Sequence, residues 1–246
     1  MRLALMIVCA VVIAVVLAAC RRSVDEGRAP ILLFDGTGTS VGDVAALEKI
    51  MRSEDLDYST ADSDRMNEMS EAQLRRHRLL IVPGGNFETI GNSLSSRAAA
   101  NIREAVQSGL NYLGICAGAF FAGNSPYNGL NLTSGTRFGF YSAEVRGIRK
   151  TAVAITAAGG ETLYQYWEDG PQLTGWGAVA AKYPDGTPAV VEGESGNGWM
   201  ILAGVHPEAP ESWRLGMEFG TPVEADSAYA ATLIRAAVSR ELMPHY

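Results

Sequence analysis

The sequence places chemistry most readily at Cys116, within Leu113-Gly114-Ile115-Cys116-Ala117-Gly118-Ala119. An apolar, strand-like run ends on small residues with a nucleophile at the turn, and helix-forming residues follow. Small neighbours let the backbone turn sharply and leave room for a substrate carbonyl beside the sulfur. A thiol attacks as its thiolate, so it needs a base or a positive charge nearby; a following helix N-terminus would add its dipole. Far downstream, Val205-His206-Pro207-Glu208 offers an imidazole with a carboxylate two residues on. His206 would serve as the base, and Glu208 could accept the other ring proton and fix the tautomer. The chain has three histidines. His77 falls in a charged helix end and His245 at a terminus expected to fray, so neither follows a buried strand. Attack creates an oxyanion, for which backbone amides are the usual donors. The amide of Ala117 is available at the elbow, and Gly84 or Gly85 in Pro83-Gly84-Gly85-Asn86 could supply a second. Double glycine also suits a plain tight turn. An inert buried cysteine and a structural strand-end histidine are the plainer alternatives for Cys116 and His206.

These groups need a scaffold that carries them to one edge. Ile31-Leu32-Leu33-Phe34 and Leu79-Leu80-Ile81-Val82 are wholly apolar runs, fitting buried parallel strands, and Tyr112 to Ile115 would deliver Cys116. Between them the pattern predicts a helix through Val44, Leu47, Ile50 and Met51, a strand over 57–60, and a helix over 96–107 stopped by Gly109. Ser70 with Gln73 predicts a capping box. The second half is richer in strands: 153–155, 163–167, 178–183, 189–192 and 199–205, the last ending on His206. A helix over 226–242 closes the chain. Strand–helix alternation predicts an α/β fold, a mostly parallel sheet flanked by helices with extra strands in the second half. Both chemical segments follow apolar strands, and in open α/β sheets sites form at the strand carboxyl ends.

Pro-Gly-Gly, Gly-Ile-Cys-Ala-Gly and His-Pro-Glu, in that order, resemble the class I glutamine amidotransferase family with its flavodoxin-like fold. The sequence is most similar to the amidotransferase-like domain found at the N-terminus of some biotin–protein ligases and as free-standing bacterial proteins. Gly38-Thr39-Ser40, Gly114 to Phe121 and Tyr164 to Pro171 look like that family's landmarks, and the likeness covers residues 30–246. The resemblance implies that Cys116 is the nucleophile, His206 the general base and acid, Glu208 the orienting carboxylate, and Gly85 and Ala117 the oxyanion donors. Gly84, Asn86 and Tyr166 are candidates for substrate contact. No ligase-like catalytic portion follows, so biotin chemistry is not implied, and the family brings no settled substrate. Asp35 to Thr39 faintly resembles an ATPase phosphate loop but has no matching second half. Tyr164, Tyr166, Trp167, Trp176 and Trp199 could line a cleft, although aromatic strand residues are commonly core.

Residues 1–20 read as a leader: one arginine, an apolar run, and Leu17-Ala18-Ala19-Cys20. That ending resembles a bacterial lipobox, in which Cys20 becomes the lipidated mature N-terminus; an uncleaved membrane anchor is the alternative. Residues 21–29 would be a spacer. The expected address is the cell envelope, lipid-anchored on the periplasmic side, with the outer membrane favoured because Arg21 follows the cysteine. The remaining stretch of about 225 residues suits one domain. Net charge is −7 with no basic cluster, which argues against nucleic acid as partner. Of three cysteines, Cys9 leaves with the leader and Cys20 carries lipid, so Cys116 has no disulfide partner. No cofactor or metal is expected, because scattered histidines and one usable thiol make no ligand cluster. The combined reading is a lipid-anchored cysteine hydrolase acting on a γ-glutamyl, peptide or other small amide. The alternative is an inactive ligand-binding or structural module of the same fold.

Overall fold

The computed structural model describes residues 29–141 and 150–246. The leader, Cys20 and nearly all of the spacer therefore lie outside the described residues. Among those described, no helix is long and apolar enough to cross a membrane.

The chain opens with β1 (Ile31–Phe34), α1 (Val41–Ser53), β2 (Tyr58–Ala61), α2 (Ser63–Glu68), α3 (Glu71–Leu74) and β3 (Leu79–Val82). It continues through α4 (Phe87–Ser93), α5 (Ser96–Gln107), β4 (Asn111–Ile115) and α6 (Ala117–Ala122). Strands then dominate: β5 (Gly139–Phe140), β6 (Lys150–Ala157), β7 (Thr162–Glu168), β8 (Pro171–Gln172), β9 (Ala178–Lys182), β10 (Pro188–Ser195) and β11 (Gly198–Ala203). The last helix is α7 (Val223–Ser239). Nine strands form one sheet in the order β2-β1-β3-β4-β11-β10-β9-β6-β7. Pairing is parallel from β2 to β11 and antiparallel from β11 to β7. The fold is thus the expected α/β arrangement flanked by helices, with a sheet that is parallel in its first part and antiparallel through the extra strands of the second half.

Both faces of the parallel strands are covered, which is why those runs are apolar at every position. Leu32, Phe34, Leu80, Val82 and Tyr112 pack with Ile102 and Val106 of α5 and with Phe121 of α6. The alternate residues Ile31, Leu33, Ile81, Leu113 and Ile115 face the other way, onto Leu47 and Ile50 of α1 and Leu233 and Ile234 of α7. Side chains cap the helix starts: Ser40 accepts from the Asp43 amide, Asn86 from Thr89 and Ser95 from Ala98, and Ser70 with Gln73 makes both bonds of the capping box.

Two local expectations need correction. α7 begins and ends three residues earlier than 226–242, because Pro222 fits just ahead of a helix and Arg240 turns left-handed at φ 57°. The C-terminus does not fray. His245 Nε2 lies 2.5 Å from Oε1 of Glu192, the Met243 amide donates to the same oxygen at 2.9 Å, and the Tyr246 hydroxyl donates to the Thr156 carbonyl at 2.8 Å. Glu192 is fully buried on β10, so the tail covers a carboxyl that would otherwise be costly to leave unpartnered.

Candidate active site

Cys116 links the end of β4 to the start of α6 with φ 49° and ψ −103°. A non-glycine residue in this left-handed region is strained and is held there only by its surroundings. Its amide donates to the Ala203 carbonyl at 2.8 Å, tying the elbow to β11. Gly118 is obligatory for the turn, since a Cβ there would stand 1.9 Å from the Val82 carbonyl oxygen. Cys116 is buried apart from a small opening, and its Sγ donates to the Glu168 carbonyl at 3.6 Å.

Just beyond β11, the His206 amide donates to the Tyr166 carbonyl at 2.9 Å, fastening this segment to the far edge strand β7. The imidazole packs edge-on between the Tyr166 and Trp213 rings, with centroids 5.7 and 6.0 Å away. Nδ1 then meets two carboxylates at once: Glu208 Oε1 at 2.9 Å and Asp43 Oδ1 at 2.9 Å. Asp43 comes from the first turn of α1 and was not foreseen in the sequence. Its only local signal is an acid three residues after a helix-capping serine, which is common on solvated helices.

Electrostatics follow from this enclosure. Burial works against the imidazolium of His206, yet the charges of Cys116, Asp43 and Glu208 outweigh it and hold the ring well above its ordinary 6.5. Burial, reinforced by the Asp43 charge, pushes Glu208 up to about 8 against the pull of His206. Burial also opposes ionisation of Asp43. There, however, the His206 charge and hydrogen bonds with His206, Glu208 and Ser40 win and bring it to about 2. The expectation that no metal-ligand cluster forms needs qualifying. One ligand atom each from Asp43, His206 and Glu208 lie within 4.8 Å of one another. Their shared hydrogen bonds already account for that closeness, and it arises because folding brings α1 to the end of β11.

A cavity of about 820 Å³ at the carboxyl ends of the parallel strands is lined by Cys116, Ala117, Gly85, Asn86, Tyr166, His206 and Asp43, among others. It therefore gathers most of the residues singled out in the sequence. Among the described residues, neither the Gly85 nor the Ala117 amide donates to another protein group. Gly85 has φ 143°, and a Cβ there would stand 2.1 Å from the Gly38 carbonyl. The bonds Ser40 N–H to Gly84 O and Asn86 N–H to Gly38 O clamp the turn on either side of that amide. Gly84 requires a correction. It does not line the cavity but packs behind it, where a Cβ would come 2.5 Å from both Asp43 Oδ1 and His206 Cε1. Asn86 lines the cavity, but its Oδ1 is taken by the Thr89 amide as the cap of α4. The Tyr166 hydroxyl donates to Glu168 Oε2 at 2.5 Å, and Lys150 pairs with Oε1 of the same residue at 3.2 Å.

Of the aromatic residues noted in the sequence, Tyr166 lines the cavity, whereas Trp167 is core. Phe87, Phe120, Phe140 and Trp213 supply aromatic wall that the sequence did not single out. The Phe87 and Phe120 rings stack at 4.7 Å, and Phe120 meets Phe140 at 5.0 Å.

Comparison with known proteins agrees with this architecture. Residues 29–148 match the family model described as "Biotin-protein ligase, N terminal". No curated protein matches the sequence. Among solved structures, a glutamine amidotransferase superposes with TM-score 0.58 at 18% identity, covering 82% of this chain and 99% of its own. Cytoplasmic protein STM3548 from Salmonella typhimurium gives 0.53 at 13% identity, over 84% and 98% of the two chains. A putative GMP synthase protein from Thermoplasma acidophilum gives 0.51 at 11% identity, over 87% and 99%. At such identities the likeness establishes the fold. The segment carrying the Cys116 elbow and the Pro-Gly-Gly turn thus matches the biotin-protein ligase N-terminal family model, and the chain as a whole has a glutamine amidotransferase-like fold.

Proposed function

We propose that this protein is an amide hydrolase that works through Cys116, His206 and a carboxylate. One observation carries the reading: an imidazole pinned at Nδ1 by buried carboxylates opens onto the same cavity as a cysteine held on a strained elbow. The Cys116 thiolate would attack the amide carbon, with the oxyanion received by the Gly85 and Ala117 amides. His206 would then protonate the leaving nitrogen as the C–N bond breaks and a thioester remains. Water, deprotonated by His206, would attack the thioester, releasing the acid and returning the thiol.

Cys116 supplies the test. In the full chain it should be alkylated by iodoacetamide well below the pH of about 8.5 at which a free thiol titrates. His206→Ala should abolish that advantage. Alkylation no faster than a free thiol, and indifferent to His206→Ala, would rule the hydrolase out. The second reading, a ligand-binding module without turnover, is favoured by the bond from Cys116 Sγ to the Glu168 carbonyl, which turns the sulfur toward backbone.

The leader supports export with a lipid on Cys20. Placement outside the cytoplasm makes a γ-glutamyl, peptide or small amide a better substrate than glutamine feeding a synthase. Mass analysis of the mature N-terminus should find an acylated Cys20; a chain still beginning at Met1 would refute the lipid anchor in favour of an uncleaved one.

A further inference from the structure

Two carboxyl groups facing one ring nitrogen pose a charge problem. A single N–H cannot satisfy two anions, and neighbouring buried carboxylates repel unless a proton lies between them. Their surroundings differ. Asp43 lies in the first turn of the 13-residue helix α1, where the helix dipole favours an anion, and it borders the cavity. The Glu208 side chain is wholly enclosed, and its Oε2 has no hydrogen-bond partner. A bare anionic oxygen in such a place is far costlier than the oxygen of a neutral acid.

We propose that the negative charge on the Nδ1 side of His206 resides on Asp43, and that Glu208 stands beside it as a neutral acid sharing its proton with Asp43. Asp43 is then the positioning residue that keeps the imidazolium charged and oriented toward Cys116, while Glu208 supplies shape and a hydrogen bond. The opposed shifts of the two groups, Glu208 up and Asp43 down, have the sense this arrangement requires. The other ionisable groups lining the cavity are Cys116 at the elbow, Glu88 on α4, Lys150 on β6, Tyr166 and Glu168 on β7, and Asp169 just after it, with Lys150 paired to Glu168. The Tyr166 hydroxyl is spent on Glu168, so it does not compete for His206. The inference deepens the proposed hydrolase reading and rests on His206 serving Cys116.

Two measurements on the full chain test it. Infrared spectra at pH 7 should show the carbonyl band of a protonated carboxylic acid, lost in Glu208→Gln. Iodoacetamide alkylation of Cys116 should keep its pH profile in Glu208→Gln, within about threefold of the parent rate at pH 6, and fall on the order of tenfold or more in Asp43→Asn. Absence of the acid band, or Glu208→Gln proving the more damaging change, would overturn the assignment. If Asp43→Asn does not fold, the infrared band of the unsubstituted chain and its loss in Glu208→Gln still decide the matter. A band that behaves as described beside an unreactive Cys116 would sink the hydrolase and leave the charge assignment standing.

Discussion

The parallel and antiparallel parts of the sheet are built differently and contribute differently to the cavity. In the parallel part, β1, β3 and β4 are buried along their whole lengths. Each ends in a turn that reaches the site: Gly36 to Ser40, Pro83 to Asn86, and the Cys116 elbow. In the antiparallel part, β7 mixes exposed and buried positions and supplies side wall through Tyr166 and Glu168. β11 belongs to both, pairing parallel with β4 and antiparallel with β10, and it delivers His206 just past its end. The family match stops at residue 148. It therefore includes Asp43, Gly85 and Cys116, while His206, Glu208 and Tyr166 lie beyond it. The proposed chemistry depends on a seam between the two parts, and the Cys116 amide to Ala203 and the His206 amide to Tyr166 are the backbone bonds that close it.

The sharpest way to break that seam is Gly84→Ala. The added methyl would stand 2.5 Å from Asp43 Oδ1 and from His206 Cε1, so one from each side must move. Overpacking of this kind costs about 1–3 kcal/mol, read as a lower denaturation midpoint. Displacement of the imidazole should slow alkylation of Cys116 by on the order of a hundredfold if it moves by about 1 Å. A Gly84→Ala chain that keeps both stability and thiol reactivity would show that the seam is looser than its contacts imply.

The two parts also differed in how much the sequence revealed. Unbroken apolar runs bounded by glycine or proline are local signals, and they located β1, β3 and β4 to within a residue. The elbow was legible because Gly114, Ala117 and Gly118 each answer a steric demand of one sharp turn. His206 and Glu208 were legible because they are two residues apart. Asp43 was not. Nothing near it in sequence records that α1 ends up against a segment 163 residues away. The aromatic wall escaped for the same reason, since Phe87, Phe140 and Trp213 come to line one cavity only through tertiary packing. In the antiparallel part, turns such as Pro184-Asp185-Gly186 mark off the strands, but the partner of buried Glu192 is hidden because its donors lie some fifty residues on, in a tail with no regular structure.

That tail gives the smallest expected effect and tests whether the antiparallel part is independent of the site. Glu192 Oε1 receives the Met243 amide and His245 Nε2, while Oε2 is buried without a partner. In His245→Ala the amide contact remains, so Glu192 loses one of two donors rather than all pairing. The imidazole is partly exposed, which lets water replace some of what is lost. Together these limit the cost to about 1 kcal/mol, measurable as a shift in urea midpoint. Cys116 alkylation should be unchanged, because β9 and β6 stand between the Glu192 contact and β7, and Glu192 sits opposite Ile201 within β11 rather than at the strand end that leads to His206. A change in thiol reactivity on losing His245 would mean instead that the antiparallel strands transmit strain to His206 through the Tyr166 bond, and that the two parts form one mechanical unit.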